Sequence, residues 1–141
     1  MTDEPSNLDP EMLVRLGCIE GLNQGNPEST RQYYTEDAVY HTAGIENGGV
    51  DDIVAQAEMW RDGTSNFEAD IIETVVDDDG DGVTFEYVVR GVHDGELADI
   101  PPTGNSFEAK GIGYAELEDG RIAEYTLVFD RLGLFRQLGV A

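Results

Sequence analysis

The period of the apolar residues changes once along this chain, near residue 67, and that change constrains the fold more than any other feature. Before it, Met12, Leu16, Ile19 and Leu22 recur at helical spacing, with Leu13 widening the stripe. They predict a first helix from about 10 to 23, ended by Gly25. Asn26-Pro27 offers an N-cap and first-turn pair for a short second helix reaching about residue 34. A short strand follows at 38–41. After the Gly48-Gly49 break, Val50, Ile53, Val54, Ala57 and Trp60 form the narrow apolar face of a third helix. Beyond residue 67 come four β runs, about 67–76, 83–93, 106–117 and 122–130, rich in Val, Ile, Phe and Tyr and separated by turn residues. A last short helix spans 132–138. Helices followed by an antiparallel meander make an α+β domain in which one sheet curls around helices. The length suits one domain over 10–141, preceded by a disordered lead over 1–9.

Charge narrows the partners. Thirty acidic residues stand against eight basic ones, a formal charge of −22, and the basic set is seven Arg with Lys110 alone. The acids are dispersed from Asp3 to Asp130 rather than gathered in a tail. Such dispersal with almost no Lys reads as adaptation to a salt-rich cytoplasm, where repulsion is screened within about 3 Å at 1 M salt. In dilute buffer the same repulsion is expected to destabilise the fold. No basic stripe exists to neutralise phosphates, so nucleic acid is not an expected partner. Cys18 is the single cysteine, which excludes an intrachain disulfide and fits a reduced cytosol. Residues 1–10 lack the basic-then-apolar order of a signal peptide, and no apolar run approaches membrane-spanning length.

Several motifs invite chemistry. Asp77, Asp79, Asp81 and Gly82 match part of an EF-hand loop, but its twelfth position would be Val88 where a bidentate Glu is needed. An acidic hairpin loop is the better reading. His41 and His93 are the only histidines and lack the spacing of known metal motifs, so no metal site is expected. His41, past a short strand, is a candidate to look into a pocket as a polar orienting group; His93 sits beside a turn and is the weaker candidate. Gly111 and Gly113 interrupt a strand, which marks either a bend around a cavity or a flat stripe for packing.

Asp130 ends the most apolar strand, after Tyr125-Thr126-Leu127-Val128-Phe129. One reading makes it the N-cap of the helix that follows. The other places it in an apolar pocket, where burial would raise its pKa and suit a general acid/base. Glu86, Tyr114 and Glu116 are strand residues that join it only if they face the same side. A two-residue turn at Asp119-Gly120 pairs residue 114 with 125; a bulged turn pairs 114 with 124 and swaps the facing set.

Five segments in order carry a family resemblance: Glu36-Asp37 through His41, Gly91-Val92-His93-Asp94-Gly95-Glu96, Ile100-Pro101-Pro102-Thr103-Gly104, Glu118-Asp119-Gly120-Arg121-Ile122, and Asp130 through Gln137-Leu138-Gly139. Together they resemble the SnoaL-like polyketide cyclase (ester cyclase) family, whose members have the nuclear-transport-factor-like cone fold. The resemblance implies a pocket for a small hydrophobic carbonyl compound, with Asp130 as acid/base of an intramolecular aldol closure and Trp60 among the pocket candidates. It implies no metal or organic cofactor. It also implies a homodimer through the outer sheet face, supplied by Tyr125, Leu127 and Phe129 or by their neighbours in the other register. Ser65-Asn66, Tyr125-Thr126, Glu86 and Glu116 depart from the family pattern and imply a differently furnished pocket. The same fold also accommodates a non-catalytic binding module.

Overall fold

The computed structural model describes residues 8–23 and 26–141. Of the disordered lead expected over 1–9, residues 1–7 lie outside the described residues, as does Gly25. Leu8 packs on the core, and the Asp9 carboxylate accepts the Met12 N–H at 2.8 Å, capping the first helix. That helix begins as α1 (Pro10–Val14), widens into a π-helical stretch over Arg15–Glu20 and finishes as α2 (Gly21–Asn23). The expected second helix is a 3-10 helix over Pro27–Tyr33. Asn26 starts it with its backbone carbonyl, which accepts from the Ser29 N–H and hydroxyl, rather than with its side chain.

The strand expected at 38–41 is longer, β1 (Tyr34–Thr42), and it turns into a strand not anticipated, β2 (Ile45–Gly48). Helix α3 (Val50–Gly63) follows, its start closed by the Asp52 carboxylate accepting the Gly49 N–H at 2.9 Å. The period change then appears as β3 (Ser65–Val76), β4 (Gly82–Val92), β5 (Ser106–Glu118) and β6 (Arg121–Phe129), with α4 (Arg131–Leu138) closing the chain. The strands form one mixed sheet in the order β2-β1-β6-β5-β4-β3. All neighbours are antiparallel except β1 and β6, which run parallel.

One residue sets which side chains face the core. The β5–β6 hairpin closes on a two-residue turn, Glu118 opposite Arg121, but Ala123 is then inserted as a bulge, so Glu116 pairs with Glu124 and Tyr114 with Thr126. Neither register anticipated from the turn holds beyond the bulge. Because side chains alternate across a strand, this insertion lets Ile122 and Tyr125, three apart, both point inward. Tyr125, Leu127 and Phe129 therefore face the interior, and their neighbours Glu124, Thr126 and Val128 face out. The core fills the space between the inner sheet face and the helices, with Leu13, Val14, Ile19, Ile53, Phe85, Ile122 and Leu138 among its buried members.

The acidic run 77–81 is the β3–β4 hairpin turn, as expected. Asp77 and Gly82 close it with a backbone bond of 2.8 Å, and the Asp79 carboxylate accepts the Asp81 N–H.

Candidate functional site

The sheet and helices do not meet completely. Between them lies a cavity of about 190 Å³. Its walls are Cys18, Ile19 and Leu22 from the first helix, Ile53, Gln56, Ala57, Met59 and Trp60 from α3, and the inner sheet face at Tyr40, Tyr87, Val89, Tyr125, Leu127 and Phe129. The π-helical stretch carries Gly17, Cys18 and Ile19 past this wall, where Gly17 gives way to Ile122 and Tyr33: a Cβ there would lie 2.8 Å from the Ile122 methyl. Trp60 is fixed by Phe67, Phe107 and Phe129, with ring centroids 5.7–5.9 Å away.

Loop residues Leu97, Ala98 and Ile100 complete the lining. They sit in a tight turn in which Leu97 and Ile100 exchange backbone hydrogen bonds of 3.1 and 2.8 Å, and which holds Ala98 and Asp99 at φ of 48° and 67°.

Polar groups in the cavity are few and mostly neutral donors. The Tyr40 hydroxyl donates to Gln56 Oε1 at 2.7 Å. Burial pushes the Cys18 thiol up to about 12, and burial likewise raises the Tyr40, Tyr87 and Tyr125 phenols above their ordinary range. All three phenols are therefore protonated at neutral pH. No Asp, Glu, His or Lys among the described residues lines the cavity; its one charged side chain is Arg131. An apolar chamber with protonated phenols can hold a carbonyl compound and stabilise negative charge that develops on its oxygen.

Asp130 does not itself line the cavity, although its sequence neighbours Phe129 and Arg131 do. Its side chain is exposed, and its Oδ1 accepts the Gly133 N–H at 2.9 Å, capping α4. The apolar enclosure anticipated for it is absent, because Gly133 makes room for the carboxylate over the first helical turn. A Cβ at Gly133 would lie 2.7 Å from Asp130 Cγ.

The other candidates separate by sheet face. Trp60 lines the cavity. Glu86, Tyr114 and Glu116 do not: they share the parity of exposed Ile112, opposite to buried Phe85, Tyr87 and Ala115, and so stand on the outer face. Tyr114 donates to Asp77 at 3.4 Å across that face. His41 also points outward, because Tyr40 and Thr42 take the inner positions of β1. Its Nε2 lies 2.5 Å from Glu124 Oε2 and its Nδ1 donates to the Glu46 carbonyl, in a shallow cleft lined by both His41 and Glu46. That cleft meets the cavity at Thr42, Ala43, Leu127, Phe129 and Arg131. His93 is fully buried away from the cavity, where its Nδ1 accepts from the Thr103 N–H and hydroxyl and ties down the Pro101-Pro102 corner.

The phenols and Arg131 are the site residues that the sequence reading missed. A signal existed for Tyr87: it shares parity with Val83, Phe85 and Val89 on an apolar strand, opposite the strand glycines.

A helix-filled cone of curved sheet around an apolar chamber is the nuclear-transport-factor-like architecture, and solved structures agree. TsrD from Streptomyces laurentii superposes with a TM-score of 0.82 at 23% identity, covering 100% of both chains. IdmH from Streptomyces antibioticus superposes at 0.77 with 27% identity, covering 94% of this chain and 100% of that one. Residues 12–138 match the family model of the SnoaL-like polyketide cyclases, and the chain belongs to that family. It is similar to the nogalonic acid methyl ester cyclase of Streptomyces nogalater, 28% identical over 86% of this chain and 91% of the relative. It is also similar to the aklanonic acid methyl ester cyclase DnrD of Streptomyces peucetius, 27% identical over 90% and 88%.

Proposed function

We propose that this protein closes a ring in a small, polyketide-like carbonyl compound held in the cavity, with Asp130 as the acid/base. The observation that carries the reading is the composition of the chamber: among the described residues, protonated phenols to hold a carbonyl oxygen and no internal base, with Asp130 lying in the chain between the lining residues Phe129 and Arg131. Family membership and similarity to two methyl ester cyclases support it.

In the reaction Asp130 swings from its cap and takes a carbon-bound proton flanked by carbonyls. The resulting enolate carbon attacks a second carbonyl of the same molecule, forming the C–C bond. The new alkoxide then recovers the proton from Asp130, so protons and electrons balance. The cavity walls hold the two reacting carbons together, and such positioning removes a large part of the barrier. Tyr87 and Tyr125 donate to the oxygen on which charge develops.

Aklanonic acid methyl ester, the substrate named for DnrD, and the corresponding free acid are the first compounds to test. The reading requires wild type to convert either, or an analogue that binds, and Asp130→Asn to bind the same compound without conversion. A ligand bound and left intact by both proteins supports the second reading, a non-catalytic binding module. The Asp130–Gly133 cap favours that alternative.

Three further properties belong to the same proposal. The dispersed charge of −22 supports function in a salt-rich cytoplasm. No helix among the described residues is long and apolar enough to cross a membrane. Ile112 and Val128, directly opposite each other and 54% and 66% exposed on the outer sheet face, support a homodimer through that face. Val128→Glu is expected to leave a monomer in sedimentation.

A further inference from the structure

Among the described residues Arg131 is the only charged side chain lining the cavity, and it also lines the outer cleft, so it stands where the two meet. Its guanidinium lies 5.6 Å from the ring centroid of Phe135, another lining residue, which steadies it across the opening. Acids outnumber bases thirty to eight in this chain, and two arginines, Arg31 with Glu28 and Asp51 and Arg90 with Glu68, Asp70 and Glu108, are held in ion pairs. Arg15, Arg61, Arg121 and Arg136 lack an ion pair among the described residues but do not line the cavity. Arg131 has no carboxylate of the described residues within ion-pair distance, because its neighbour Asp130 is turned onto Gly133. An uncompensated guanidinium beside an apolar chamber is a receptor for a carboxylate on a ligand whose body fills that chamber.

We propose that Arg131 selects the ligand by an anionic group, so that the compound bound here is a carbonyl-bearing ring or polyketide with a free carboxylate at the cavity mouth. The inference rests on the cavity being the ligand site, as proposed above. Where the relatives are methyl ester cyclases, this rim fits the free acid. Esterification removes the charge that Arg131 reads while leaving the apolar body unchanged, and the outer cleft leaves room for the head group beyond the guanidinium.

Trp60 is the single tryptophan and lines the cavity, so quenching of its fluorescence reports occupancy directly. The probes are anthraquinone-2-carboxylic acid and its methyl ester, titrated at one salt concentration into wild type, Arg131→Gln and Arg131→Lys. Wild type is expected to bind the acid roughly fivefold tighter than the ester, as suits a partly exposed ion pair. Arg131→Gln is expected to lose that preference through weaker acid binding alone, and Arg131→Lys to keep part of it. Unchanged ester binding in Arg131→Gln shows that the chamber is intact. Equal binding of acid and ester by wild type, or a preference that survives in Arg131→Gln, overturns the assignment while leaving the cavity reading standing. Failure of both compounds to quench Trp60 in wild type overturns the two together.

Discussion

The ring of Tyr87 lies directly over Gly111, its cross-strand partner, with ring carbons 2.5–2.6 Å from where a Cβ would stand. Phe85 lies over Gly113 in the same way, one pair along. The two glycines that interrupt β5 are thus seats for rings on β4, and they let the Tyr87 phenol lie flat against the sheet as a cavity wall. Both glycines face inward and are buried, so they do not form a packing stripe on the outer face.

Gly111→Ala is therefore expected to push Tyr87 off the sheet and into the cavity. Overpacking of this kind costs about 1–3 kcal/mol. Urea unfolding reads the loss, and Trp60 quenching by anthraquinone-2-carboxylic acid should weaken with it. An Ala variant of full stability and unchanged ligand affinity would show that the ring has room to move.

Asp130 carries two separable roles. Asn caps a helix about as well as Asp, whereas Ala loses about 1 kcal/mol. Asp130→Asn should thus melt with wild type and Asp130→Ala below it, while neither turns substrate over. Wild-type turnover in Asp130→Asn would assign the acid/base role to another group.

The outer-face cluster gives stability a defined pH dependence. His41 is raised above 6.5 by Glu124 and then by the Glu46 carbonyl; Glu124 is lowered below 4.5 by His41 and then by Glu116. The His41 contribution is full below 6.5 and is lost as pH rises through its raised folded value. The Glu124 contribution is full above 4.5 and is lost as pH falls through its lowered folded value. Glu116, raised by Glu124, opposes the pair as pH climbs through its own titration. The cluster therefore helps most between 4.5 and 6.5. His41→Gln should flatten melting temperature against pH across and above that window, and NMR titration should place the His41 imidazole above 6.5. An unshifted His41 would contradict the pair.

Dispersed acids are expected to make stability depend on salt. Arg90 alone ties Glu68, Asp70 and Glu108 across three strands, so Arg90→Ala leaves three neighbouring carboxylates unneutralised. Wild type should melt higher in molar KCl than in dilute buffer, and Arg90→Ala should gain more from salt than wild type does. A melting temperature indifferent to KCl would refute the charge-repulsion account.

The elements were legible because their signals are local. The apolar stripe through Val54, Ala57 and Trp60 and the Asp119-Gly120 turn need no knowledge of the rest of the chain. The facing of β6 was not legible, because the Ala123 bulge decides it and a bulge is chosen by long-range packing of Ile122 and Tyr125 into the core. That single inserted residue sends Tyr125 inward with Leu127 and Phe129, and it leaves Glu124 and Thr126 to face His41 outside. β2 escaped notice because Ile45-Glu46-Asn47-Gly48 is too short and polar to show alternation. The two readings of Asp130, helix cap or pocket group, were tipped towards the pocket by the resemblance, whereas its carboxylate is exposed and caps α4 through the Gly133 N–H.

The central claim is that the chamber between Trp60 and the phenols is where the ligand binds. A crystal structure of the protein grown from molar KCl with anthraquinone-2-carboxylic acid tests it most directly. The account predicts the rings lying between Trp60 and Tyr87 with the carboxylate at Arg131. Rings bound only in the outer cleft by His41, or a chamber closed by Trp60 against Tyr87 with no ligand inside, would contradict it.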